Sequence, residues 1–271
     1  MSSTEVVDVV ASIERLVRRD RLWIVLGLVV TVGLAWVYLL REAAEMEAMA
    51  AEMRRHAAMG MAGMTLRTWG AADAVALFVM WTVMMIGMML PSASPVILLV
   101  LSSYRVRRDA QARLAAVMFV GGYLLVWTGF SALAAGGQLG LHRAALLSDD
   151  MRMRSAVVSG IVLLVAGVYQ WLPIKNRCLV HCRTPLSFLT QQWRPGVRGG
   201  LEMGLRHGAY CVGCCWLLMV LLFVLGVMNV IWIAVLAAVV LLEKFSPRGQ
   251  LVSRLVGVVA AVWGVYLLVS Q

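Results

Sequence analysis

From residue 22 almost to the end of the chain, long apolar runs alternate with short polar stretches, and runs near twenty residues match the roughly 30 Å hydrocarbon core of a bilayer. The runs at 22–40, 72–101, 114–135, 156–172, 210–228, 229–243 and 251–269 predict about seven transmembrane helices. Residues 210–242 as one straight helix would be about 50 Å long, so a turn near Gly226–Asn229 is expected to divide them; a single broken helix there would make six spans. Ahead of the first run, Val6, Val9, Val10, Ile13, Leu16 and Val17 share one helical face, which predicts a cytoplasmic amphipathic helix over residues 1–20. The expected fold class is all-α, a polytopic transmembrane helix bundle. Residues 21–271 form one integral membrane domain, with a Met-rich external loop at 42–71.

Composition supports this reading. Of 271 residues, 62% are hydrophobic and 14% charged, against about 25% charged in a soluble domain. Lys and Arg number 24 against 14 acidic residues, for a net charge of +10. Apart from Arg254, which lies within the last run, these basic residues fall outside the apolar runs, which is the pattern of membrane topology and not of nucleic-acid binding. With seven spans, the segments on one side hold 16 Lys and Arg and those on the other hold 7. The positive-inside rule then places the N-terminus in the cytoplasm.

Soft-metal donors are concentrated in three places. Between Met46 and Met64 lie six methionines, ending in the M-x-M-x-x-M array of Met59, Met61 and Met64. Thioethers are neutral, polarizable ligands suited to Cu(I), while the same residues could instead make a greasy docking surface. On the second span, Met80, Met84 and Met88 are spaced four apart and stack on one face, a pattern open both to core packing and to an ion path. Pro91 removes a backbone donor just beyond.

The cysteines are the third concentration. All five fall between residues 178 and 215, without the spacing of a disulfide scaffold. His207, Cys211, Cys214 and Cys215 project within one helical face about 100° wide, which lets two or three of them converge on one ion. Cys178, His181 and Cys182 repeat the i, i+3, i+4 spacing in the most basic segment, where Lys175, Arg177 and Arg183 would favour thiolates. That second group is open to structural zinc as well as to copper. Glu243 and Lys244 end the sixth span and are expected first of all to anchor it at the interface, with a role near the ion path as the lesser reading. No nucleotide-binding loop or nucleophile elbow is present, so an enzyme is the less favoured reading.

Three blocks then resemble a bacterial family of predicted metal-binding integral membrane proteins: Trp81 through Met85, Met88, Met89 and Pro91 to Pro95; Tyr169 to Lys175 with Cys178, Cys182, Arg183 and Pro185; and His207, Gly208, Cys211, Gly213, Cys214, Cys215 and Trp216 continuing to Asn229, Glu243 and Lys244. The resemblance covers roughly residues 75–250 and implies a polytopic membrane protein with a metal site. The M-x-M-x-x-M array lies outside it and is similar, in motif only, to the ligands of eukaryotic copper importers.

These observations predict a copper(I)-handling membrane protein. Exchangeable thioethers outside would pass the ion to a stronger thiol and imidazole cluster on the cytoplasmic side. Its partners would be the lipid bilayer, the metal ion, and a metal chaperone or larger membrane complex. Two other readings stand beside it: a thiol-disulfide relay using the same cysteines, and an accessory subunit whose cysteines hold a structural metal.

Overall fold

The computed structural model describes residues 3–59, 70–107, 109–148 and 151–270, with the side chains of residues 3–20 and 57 outside the description. Helices α1 (Ser3–Ala58), α2 (Ala71–Val106), α3 (Ala112–Arg143), α4 (Ala156–Tyr169), α5 (Pro173–Arg183), α6 (Pro185–Gln192), α7 (Gly196–Val220), α8 (Leu222–Leu225), α9 (Val230–Phe245) and α10 (Gly249–Val269) follow in order. The described residues form no strand beyond an isolated bridge between Leu147 and Met153. The all-helical class is as the apolar periodicity predicts.

By length and composition, five helical stretches suffice to cross a membrane: Arg21–His56, Ala71–Val106, Ala112–Arg143, Gly196–Leu225 and Gly249–Val269. Helices α4 and α5 add a sixth if counted as one span bent by 63°. The expected seven are therefore not all of full length. The predicted turn at Gly226–Asn229 is present: Gly226 takes φ +103°, a conformation few other residues adopt, and the Asn229 side chain accepts from Trp232 N to cap α9. Yet α9 has only 16 residues, about 24 Å at 1.5 Å per residue, which is shorter than a hydrocarbon core. The predicted helix at 1–20 is also not a separate element, because α1 runs unbroken from Ser3 to Ala58. Its extension past the first span keeps Met49, Met53 and Met59 exposed.

Close backbone approach between α3 and α7 governs the interior. A Cβ on Gly200 or Gly204 would fall inside the contact radius of the carbonyls of Ala115 and Phe119, and one on Gly208 would meet Val126 at 3.0 Å. The spacing of four puts these glycines on one stripe of α7, so α3 lies directly on the helix that carries the cysteines. A similar seam, Gly160 and Gly167 against Gly264 and Gly257, joins α4 to α10. Helix α2 stays continuous through Pro91 and Pro95; the Pro91 carbonyl, which loses its donor at Pro95, accepts from the Ser94 hydroxyl at 2.8 Å.

Candidate metal centre

Helix α5 opens with Pro173 at its first turn and lies along α7. This docking joins two groups of cysteines that are distant in sequence. Cys178 packs against Gly213, where an added Cβ would lie 2.9 Å from its sulfur. One turn on, Cys182 comes close enough to Cys211 and Cys214 for their side chains to interact. Cys182, Cys211, Cys214 and Cys215 are all buried, Cys178 is half-buried, and all five are free thiols. Two groups of thiols that are separate in the sequence thus come together between α5 and α7.

The thiols are turned toward the backbone. Cys214 and Cys215 donate to the Cys211 carbonyl at 3.1 and 2.9 Å, as short polar side chains on a helix commonly do. Among the described residues no three His, Cys, Asp or Glu side chains are arranged to hold one metal ion. Rotation of a thiol about χ1 would redirect its sulfur without moving the backbone.

Three further elements reach the cysteines of α7. Lys244, from the last turn of α9, donates to its sulfur at 3.0 Å and to the Ser92 hydroxyl of α2 at 2.7 Å. Tyr123, from α3, places its hydroxyl 3.1 Å from the same sulfur and 3.1 Å from the Met89 carbonyl. Met89 brings its own sulfur to 3.9 Å from Cys215 Sγ. The sequence reading did not assign Lys244, Tyr123 or Ser92 to the site, and it favoured Met84 and Met88 over Met89. Met84 and Met88 are buried in the same core, but the sulfur contact with the cysteines belongs to Met89.

His207 sits one turn before Cys211, enclosed by Phe119, Tyr123 and Phe188 with ring centroids 5.8, 5.8 and 5.1 Å away. Among the described residues its buried Nδ1 has no hydrogen-bond partner, so the imidazole keeps a free nitrogen. His181 points elsewhere: it stacks on Tyr210 at 4.2 Å, with Nδ1 2.8 Å from the Arg177 carbonyl. Met59 is exposed at the end of α1, whereas Met61 and Met64 lie outside the described residues.

Glu243 and Lys244 are not interface anchors. Both are buried, Lys244 on Cys211 and Glu243 in an ion pair with Lys175 at 2.8 Å. Lys175 also donates to Gln170, whose side-chain oxygen accepts from Ser253 at 3.0 Å, so this network ties the α4–α5 bend to α9 and α10. The cation expected to favour a thiolate is thereby corrected. Lys175 is committed to Glu243, and Arg183 donates to the carbonyls of Ser246 and Pro247, leaving Lys244 as the ammonium on a cysteine sulfur.

A buried group of soft sulfur donors with one free imidazole nitrogen suits a soft monovalent ion better than a hard cation that prefers oxygen. The family model named PpoB2 and described as a copper chaperone matches residues 78–267. No curated protein and no solved structure matches the chain. The matched region begins on α2 and takes in α3 to α9 and most of α10; the Met-rich segment after α1 precedes it.

Proposed function

Because the chain belongs to the PpoB2 family of copper chaperones, we propose that it is a membrane-embedded copper handler that takes up Cu(I) and holds it in the α5–α7 thiol cluster. The convergence of Cys182 with Cys211 and Cys214 carries this reading, because it gathers thiols from two helices at a place from which water is excluded. Copper enters from the opposite side, captured by the thioethers of Met59, Met61 and Met64, and moves down the affinity gradient from neutral thioether to thiolate. His207 offers an exchangeable nitrogen at the margin of the cluster. In this topology α4 and α9 serve as short crossings beside the five long ones, the N-terminus is cytoplasmic, and a metal chaperone or larger membrane complex receives the ion.

Metal analysis of the protein purified anaerobically in detergent is the test. Copper at a fixed ratio to protein is expected, falling sharply in Cys211→Ser and Cys214→Ser, which replace a soft sulfur with a hard oxygen at nearly equal size. Replacing Met59, Met61 and Met64 with Leu should leave the purified site intact and reduce loading only at limiting external copper. Full copper occupancy in both cysteine variants would refute the assignment. Zinc in place of copper would favour a structural metal, and no metal with a titratable disulfide would favour a thiol relay.

A further inference from the structure

The sulfur of Met89 contacts the thiol of Cys215, and we propose that Met89 is a copper ligand, completing a mixed thioether and thiolate site with Cys215 and Cys211. This rests on the copper reading above. Three sulfurs in a trigonal site with metal–sulfur bonds of about 2.3 Å, the zinc–thiolate length taken as the scale, stand about 4.0 Å apart. Met89 Sδ and Cys215 Sγ are already 3.9 Å apart, and Cys211 lies one turn before Cys215, whose thiol donates to the Cys211 carbonyl at 2.9 Å. All three residues are buried, so an ion there exchanges its water shell for sulfur.

Position and charge both favour the thioether. Cys215 is held in front of Met89 because α3 bridges α2 and α7: the Tyr123 hydroxyl bonds the Met89 carbonyl on one side and meets Cys211 on the other. Two thiolates and one Cu(I) leave a single negative charge, which the Lys244 ammonium, 3.0 Å from Cys211, offsets. A neutral third donor preserves that balance, whereas a third thiolate would leave a net charge in a low-dielectric interior. The thiol protons pass to the medium as the ion binds, and copper stays Cu(I) throughout. Met80, Met84, Met85 and Met88 are buried on the same helix toward its N-terminal end, so Met89 ends a run of thioethers that leads to the cysteines.

The test is X-ray absorption on selenomethionine-labelled protein loaded with less than one equivalent of Cu(I). A copper–selenium vector at bonding distance is expected in the wild-type protein. It should vanish in Met89→Leu and persist in Met84→Leu, while Met89→Leu retains copper with an affinity reduced about tenfold or more. Copper bound by sulfur without selenium in the wild-type protein, or a selenium vector that survives Met89→Leu, overturns the assignment and leaves the copper function standing. A wild-type protein that takes up no copper overturns both.

Discussion

The ammonium of Lys244 lies 3.0 Å from the sulfur of Cys211 although the two residues are 33 positions apart, and both are buried. Ser92 takes a second hydrogen bond from the same ammonium, and Tyr123 contacts the same sulfur, so α2, α3, α7 and α9 meet at this pair. An ammonium inside a cation site bears directly on which cation it accepts. A divalent ion bound by the same two thiolates would leave one positive charge uncompensated, and two unit charges about 4 Å apart interact by roughly 4 kcal/mol at an effective dielectric near 20.

Lys244→Met, which keeps the stem and removes the charge, is therefore expected to shift metal preference from Cu(I) toward Zn(II) by at least about tenfold. Competition loading with both metals, followed by metal analysis, measures the ratio. An unchanged ratio would mean that Lys244 acts only in packing.

The buried pair of Lys175 and Glu243 gives a second expectation. Removing one partner, as in Lys175→Met, strands a charge in the interior and should cost about 3–5 kcal/mol. Replacing both, with Lys175→Met and Glu243→Leu together, should recover most of that loss. Thermal unfolding of the three proteins in detergent decides the matter; a double variant no more stable than the single one would show that the pair does more than neutralise itself.

Packing at the α3–α7 seam supplies a third. Gly204→Ala places a methyl against the Phe119 carbonyl, where neither helix can give way through side-chain motion alone, and about 1–3 kcal/mol of destabilisation is expected. Since Tyr123 stands one turn along α3, the same variant should weaken the contact with Cys211 and lower copper retention. Gly208→Ala meets the Val126 side chain at 3.0 Å and the Tyr123 carbonyl at 3.2 Å, a looser approach than at Gly204, and should do less on both counts. Melting temperature and copper content measured together test the coupling, and normal copper retention in a destabilised Gly204→Ala protein would break it.

The proposed orientation rests on the 16 to 7 asymmetry of basic residues across seven spans and is tested through Cys178, the half-buried thiol of the five. A membrane-impermeant maleimide should spare it in intact cells and modify it in inverted vesicles. Modification from outside would reverse the topology, and with it the inward direction of copper movement.

Helical class, the turn at Gly226–Asn229 and the common face of His207, Cys211, Cys214 and Cys215 were legible in the sequence alone, because all three depend on local geometry: apolar length, turn chemistry, and 100° of rotation per residue. Periodicity says which residues share a face but not what stands opposite. That Cys182 meets Cys211 depends on how α5 folds back after the bend at residues 170–172, and that Met89 rather than Met84 or Met88 reaches a cysteine depends on the rotation of α2 about its axis. Lys244 misled for the same reason. At the end of an apolar run a lysine ordinarily reaches for water, and only the packing of α2, α3 and α7 around that end of α9 turns it inward onto a sulfur.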